Sequence, residues 1–99
     1  MKIRNMTGDN WNKVLKQFII SAPGPINWMS GLKTGSGDIF QSYNSVIAFC
    51  EFSGQVYLDA ISWDYSRTTG KYRNQFLGET KKETQKKIDS GEYILANLN

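Results

Sequence analysis

Two neighbouring segments limit what this chain can fold into. Residues 45–52 and 55–63 are rich in β-branched and aromatic side chains, and only Ser53-Gly54 separates them. Runs of that kind read as strands, and two residues ending in glycine read as a tight hairpin turn. With that turn, Phe52 sits opposite Gln55. The register then places Ile47, Phe49, Val56, Leu58 and Ala60 on one face. Val46, Cys50, Phe52, Tyr57, Ile61 and Trp63 fall on the other, with Asp59 and Gln55 among them. Both faces are largely apolar, so the pair belongs in the middle of a sheet, or under cover on both sides.

The flanks supply further elements. Thr7-Gly8-Asp9-Asn10 is a turn cluster between residues 1–6 and 11–20, and the second run ends in Phe18-Ile19-Ile20. The pattern predicts an opening hairpin with its turn near Gly8-Asp9. A short helix over 12–18, with Val14, Leu15 and Phe18 on one side, is the competing reading; the brevity and the β-branched end favour strands. Residues 22–38 hold both prolines and four of the nine glycines, and read as a long loop. The stretch from Gly31 to Gly37 lacks the Gly-Lys-Ser/Thr ending of a phosphate loop.

Two helices follow. Ser66 or Thr68 can cap the first, Tyr65, Thr69, Tyr72 and Phe76 fall at helical spacing as its buried stripe, and Gly78 stops it. Thr80-Lys81-Lys82-Glu83 matches a reciprocal capping box for a second helix, which runs to about Ser90 with Gly91 as its stop. Ile88 is its only strongly apolar residue, which places it on the surface. Residues 93–98 read as a last strand. With 99 residues there is room for one core. The expected fold is a single α+β domain over 1–99: an antiparallel sheet of four to five strands, with two short consecutive helices before the last strand.

The chemistry is narrowed by what is missing. There is no histidine, and Cys50 is the sole cysteine. The usual general base near neutral pH and the commonest metal ligand are therefore absent. Structural zinc, intrachain disulfides and a Cys-His nucleophile pair are excluded too. Asp59 and Asp64 can approach one another with Glu51 nearby, but none has diagnostic ligand spacing. Cys50, in mid-strand, reads as a small packed hydrophobe. The expectation is a protein that is not an enzyme and carries neither metal nor cofactor. The longest apolar run, Val46-Ile47-Ala48-Phe49-Cys50, is too short for a membrane span, and the N-terminus lacks a secretory h-region. No membrane and a cytoplasmic location follow as expectations.

Two surfaces compete for a binding role. Trp28 and Met29 lie in the Gly/Pro-rich segment as interface anchors, or else the tryptophan tucks back over the sheet. Phe52, Tyr57 and Trp63 form an aromatic face, either open for a partner or a second copy in a homodimer, or packed under the opening hairpin. The alternative surface is basic. The net charge of +3 is confined to residues 66–99, which hold seven basic and four acidic residues. Arg67, Lys71, Arg73, Lys81, Lys82, Lys86 and Lys87 lie on the two expected helices, where they can meet nucleic-acid phosphates. Interleaved Glu79, Glu83 and Asp89 also suit a plain solvated face. Ser66-Arg67-Thr68-Thr69 can bind phosphate or simply cap its helix.

From residue 40 onward the chain resembles a domain of unknown function found in small phage, plasmid and other mobile-element proteins. The likeness rests on Phe40-x-Ser42-Tyr43 before Ile47-Ala48, on Val56-Tyr57-Leu58-Asp59, and on Ser90-Gly91-Glu92-Tyr93 with the Leu98-Asn99 ending. Its most specific stretch is Trp63-Asp64-Tyr65-Ser66-x-Thr68-Thr69-x-Lys71-Tyr72-x-Asn74-x-Phe76-Leu77-Gly78-Glu79-Thr80. It covers about the last 60 residues; the opening hairpin fits loosely and 22–38 lies outside. The resemblance implies a mobile-element setting in a bacterial host cytoplasm. It also implies an accessory protein that binds a host protein or complex, an inhibitor of a CRISPR-type defence complex being one form. It brings no catalytic residue.

Overall fold

The computed structural model describes residues 2–7 and 13–99. The elements run β1 (Lys2–Thr7), β2 (Lys13–Ala22), β3 (Ile26–Asn27), β4 (Lys33–Thr34), β5 (Gly37–Ser42), β6 (Ser45–Glu51), β7 (Val56–Asp59), α1 (Arg67–Leu77), α2 (Lys81–Asp89) and β8 (Tyr93–Ala96). Six strands form one sheet in the order β1-β2-β5-β6-β7-β8, while β3 and β4 pair separately. The fold is α+β with two helices, as expected. The large sheet has six strands, however, and it is mixed, because β8 runs parallel to β7. A parallel neighbour needs a crossover of a dozen residues or more, and α1 and α2 supply it.

The opening segments pair as a hairpin, with Ile3 opposite Ile20 and Asn5 opposite Phe18. The turn expected near Gly8-Asp9 lies outside the described residues. Residues 13–22 are strand rather than helix because β2 is paired along both edges, by β1 and by β5. Residues 22–38 are not a structureless loop: they carry β3, β4 and the start of β5. β5 is missed by local pattern because Gly37-Asp38 reads as turn and the two apolar residues Ile39-Phe40 are too few to mark a strand. Its two flanking strands make it a strand.

The central hairpin corrects the expected register. Gly54 N–H donates to the Glu51 carbonyl (2.8 Å), and Glu51 N–H donates to the Gln55 carbonyl (2.8 Å). The connection is thus three residues long, with Gly54 at φ 113°. Cys50 faces Val56, Phe49 faces Tyr57 and Ala48 faces Leu58. A one-residue slip exchanges the faces of a strand, so Phe49 and Tyr57 share one side while Cys50, Val56 and Leu58 share the other. A bulge on β6 leaves Ile47 unpaired between Val46 and Ala48, so Ile47 and Ala48 both reach the core.

β7 stops at Asp59, short of the strand expected to Trp63. The Asp59 carboxylate accepts from the amides of Ile61 (3.3 Å), Ser62 (2.8 Å) and Leu98 (2.9 Å), which turns the chain out of the sheet. Where β7 ends, Asn99 takes its place beside β6. Its side-chain oxygen accepts from Val46 N–H (2.8 Å) and its amide donates to the Val46 carbonyl (3.0 Å).

Both helix starts follow their caps. Ser66 Oγ accepts from Thr69 N–H, and Thr80 with Glu83 forms the reciprocal box. The helices cover one face of the sheet, where Phe40, Ile47, Ala48, Val56 and Leu58 are buried with Tyr72 and Tyr93. Phe76 stacks on Phe40 at 5.7 Å. Tyr65 does not join the buried stripe and is 74% exposed. It precedes the extended cap residue Ser66, so helical phase does not reach it.

Candidate functional site

The face turned away from the helices is built from a single cross-strand row. Ile3, Ile20, Ile39, Phe49, Tyr57 and Ile94 stand in register, one from each of the six strands. Paired residues share a face of a sheet, so the row is an apolar stripe from edge to edge. Its middle is roofed. Trp28 meets Phe49 edge-on at 5.2 Å, and its indole N–H donates to Thr34 Oγ1 (3.0 Å). The ends are open: Ile3 is 64% and Ile94 is 41% exposed.

Trp28 therefore tucks back over the sheet, while its neighbour does the reverse. The amide of Trp28 donates to the Leu32 carbonyl (2.8 Å) and Gly31 N–H to the Trp28 carbonyl (2.9 Å). This tight turn holds Met29 at its tip, 96% exposed. Ser30 Oγ donates to the Asn97 carbonyl (2.8 Å), tying the tip to the segment after β8.

The expected aromatic face of Phe52, Tyr57 and Trp63 does not form. Phe52 is exposed in the β6–β7 turn. Tyr57 is half-buried on the second face, stacked on Phe49 at 6.1 Å. Trp63 lies with the helices, under the Arg73 guanidinium at 5.2 Å. The three-residue turn and the early end of β7 separate them. The opening hairpin does not cover them either, because it adds to the sheet edge beside β5.

The seven basic residues also divide. Arg73 is 1% exposed and faces inward. It donates to the Trp63 carbonyl (2.7 Å) and Asn74 Oδ1 (2.9 Å), and pairs with Asp64 (3.3 Å). It shares the buried stripe of α1 with Thr69 and Tyr72, so it is not part of a surface patch. Lys87 pairs with Glu79 at 2.8 Å and lies over the Tyr93 ring. Lys81 pairs with Asp64 at 2.7 Å but stays exposed, and Lys71 lies over Tyr72 at 5.5 Å. Arg67, Lys82 and Lys86 are exposed.

Four carboxylates, Asp64, Asp59, Glu51 and Glu79, are spent on structure. The hydrogen bond from Lys81, with that of Arg73, holds the Asp64 carboxyl below its ordinary range against some burial. Burial pushes the Asp59 carboxyl up, but the amides of Leu98 and Ser62 outweigh it and the net direction is down. Glu51 accepts from Gly35 N–H (2.6 Å) and Ser53 Oγ (2.8 Å). Glu79 is buried among Lys87, Thr84 (2.5 Å) and Tyr93 (2.7 Å). Burial acts to raise its pKa, yet these donors keep it low; the Tyr93 hydroxyl is pushed up to about 12 by burial and by Glu79. Burial, with Asp38 and Glu79, raises the Cys50 thiol, which keeps it protonated and poorly nucleophilic. Among the described residues, no three His, Cys, Asp or Glu side chains are grouped to hold a metal.

Two hollows adjoin the start of α1. One, of about 740 Å³, is walled among the described residues by Arg67, Lys71, Arg73 and Lys81, together with Asp64. The other, of about 470 Å³, is lined by Tyr43, Tyr65, Ser42 and Thr68. Ser66 borders both.

Comparison with known families decides the kinship. The model of DUF8033, a family of unknown function, matches residues 1–92. The chain belongs to DUF8033. No curated protein matches it, and no solved structure does. The DUF8033 match takes in the opening hairpin and residues 22–38 as well as the stretch from residue 40.

Two features of this DUF8033 member escape sequence reasoning. The six-residue apolar row exists only through register, which the turn at Gly54 and the pairing of β5 decide. The hollows beside Ser66 depend on Lys81 of α2 and Tyr43 of the β5–β6 turn reaching the same end of α1. Alternation of apolar residues within each strand is the one signal available for the first, and it does not say which residues align.

Proposed function

We propose that this protein is a non-catalytic accessory protein that docks onto another protein through the second face of its sheet. The observation that carries this reading is the apolar row from Ile3 to Ile94, roofed at its centre by Trp28 and open at both edges, with Met29 projecting beside it. Apolar side chains left open at the sheet edges, with an exposed methionine beside the roof, offer a partner places to dock. Glu51, Asp59, Asp64, Glu79 and the lone thiol are held in structural roles, which supports a binding function over a catalytic one. The resemblance of residues 63–80 to small mobile-element proteins supports a phage or plasmid setting. A protein or complex of the bacterial host is then the partner, and inhibition of a CRISPR-type defence complex is one outcome of docking.

Affinity purification from a bacterial host, with and without nuclease treatment, tests this. We expect a protein partner that survives nuclease and is lost with Met29→Glu and Ile94→Glu, while thermal stability stays near that of the parent. Capture that disappears with nuclease, or that both variants leave intact, refutes docking through this face. Light scattering over a range of concentrations separates a foreign partner from a second copy.

A further inference from the structure

We propose that the hollow between the β5–β6 turn and the start of α1 binds a neutral sugar, with one face of the sugar ring against the tyrosines and its hydroxyls among the polar side chains. The site adjoins α1 and is independent of docking through the opposite face of the sheet.

The chemistry of the wall selects the ligand class. At about 470 Å³ the hollow lies in the size range of small-molecule sites, about 300–1,000 Å³. The described residues that line it carry no charge, so an ionic ligand would lose water there without a compensating partner. Ser42, Ser66 and Thr68 bring hydroxyls and Asn44 brings an amide, so a purely apolar ligand would cover polar groups without satisfying them. A hydroxyl donates and accepts at once. Ser66 Oγ accepts from Thr69 N–H (3.1 Å), and Ser42 Oγ shares one hydrogen bond with Thr69 Oγ1 (3.0 Å), which leaves each with capacity beyond that bond. Gln17 of β2 stands opposite Ser42 of β5 and is 1% exposed, yet neither its side-chain oxygen nor its nitrogen has a hydrogen-bond partner. Paired residues share a face of the sheet, and buried amides are normally satisfied, so hydrogen-bonding capacity goes unmet beside Ser42. A ligand whose own hydroxyls donate and accept in turn matches this wall, as a sugar's do.

Two aromatic rings supply the apolar half of the match. Tyr43 and Tyr65 are 52% and 74% exposed, and both line the hollow. Each joins an apolar ring face to a polar tip, and a pyranose likewise has a C–H face and a rim of hydroxyls. Tyr43 is held there against its own backbone preference. Its φ is 55°, in the left-handed region that disfavours a bulky side chain. Its amide donates to the carbonyl of Lys16 (2.6 Å), itself at φ 69°, and its carbonyl accepts from Gln41 Nε2 (2.9 Å). Glycine would meet that turn without strain. A ring kept at such a position and left half exposed is not explained by packing, and backbone strain of this kind gathers at ligand sites.

Amide NMR titration with glucose, galactose and N-acetylglucosamine, each to about 50 mM, tests the proposal, with inorganic phosphate and uracil as charged and aromatic controls. We expect at least one of these sugars to shift resonances of residues 42–47 and 65–69 saturably, with a Kd in the millimolar range, and both controls to leave them in place. Tyr65→Ala should weaken that sugar about tenfold. Tyr43→Gly removes the ring and relieves the backbone, so affinity should fall by a similar factor while the melting temperature holds or rises. If none of the three sugars moves those resonances, or if phosphate or uracil moves them and the sugars do not, the sugar assignment is wrong. Sugar shifts that survive both tyrosine variants unchanged overturn the site. A melting temperature lowered by Tyr43→Gly gives that ring a packing role and refutes the argument from strain.

Discussion

Arg73 offers the sharpest separation between a surface and an interior role. On a phosphate-binding face, its removal leaves the fold untouched. In the structure its guanidinium is buried, bonded to the Trp63 carbonyl at 2.7 Å and Asn74 Oδ1 at 2.9 Å, and paired with Asp64 at 3.3 Å. Hydrogen bonds that involve a charged group contribute about 1.5–3 kcal/mol each, and the contact over the Trp63 ring adds about 0.5–2 kcal/mol. Truncation leaves the Trp63 carbonyl without this donor and opens a cavity, although Asp64 keeps Lys81. Arg73→Ala is therefore expected to cost about 3–5 kcal/mol, in the range for breaking a buried pair. A domain of this size holds about 5–15 kcal/mol in total, and loses about 4–8 °C in Tm per kcal/mol. The melting temperature should fall by at least about 12 °C, read by circular dichroism and checked by urea titration. Arg73→Lys should recover part of the loss, since a point charge reaches one acceptor but does not span two. A Tm for Arg73→Ala within about 2 °C of the parent would falsify the interior role, because a buried group of this kind does not go unnoticed.

Other expectations follow from the same contacts. Trp28→Ala removes a half-buried ring from Phe49 and should cost about 2 kcal/mol, some half of a full core truncation, while Met29→Ala leaves stability within about 0.5 kcal/mol; equal melting curves for the two contradict the roof. The folded Asp59 carboxyl lies below its ordinary value of 3.8, so its contribution is present above that value and is lost as pH falls through the lower folded one. Asp59→Asn should lower stability at neutral pH and flatten the Tm profile below about pH 4, whereas a variant profile parallel to the parent's at every pH excludes this carboxylate as the cause. At Gly37 an added Cβ comes within 2.4 Å of the Cys50 carbonyl oxygen and 2.6 Å of the Phe49 ring. Gly37→Ala should therefore disrupt the β5–β6 pair, and a variant with parental Tm and amide spectrum refutes that packing.

Much of the fold is legible in the sequence because its signals are local. Ser66, Gly78 and the Thr80–Glu83 box mark the helix ends, since a capping side chain acts within three residues of itself. The strand character of 13–22 and 45–51, the absent histidine, and the excess of positive charge after residue 66 are local in the same sense. What remained hidden depends on distant partners. β5 is a strand because β2 and β6 flank it, and β8 is parallel because the helices carry the chain back along the sheet. Arg73 looks like its neighbour Lys71 in the sequence. Helical phase alone turns one inward to Trp63 and Asn74 and leaves the other outside.

The candidate surfaces show the same division. The sequence by itself determined that both strand faces are apolar, that a tryptophan and a methionine lie together at 28–29, and that cations gather on the helices. Tertiary structure decided which of these residues meet. One residue in the turn at Gly54 sets the β6–β7 register and puts Phe49 beside Tyr57, and the pairings of the other strands bring Ile3, Ile20, Ile39 and Ile94 into the same row. Period-two alternation specifies the face within a strand and leaves the pairing between strands to turn geometry. That is the physical reason a surface read as Phe52, Tyr57 and Trp63 becomes, once the strands are paired, a stripe running from β1 to β8.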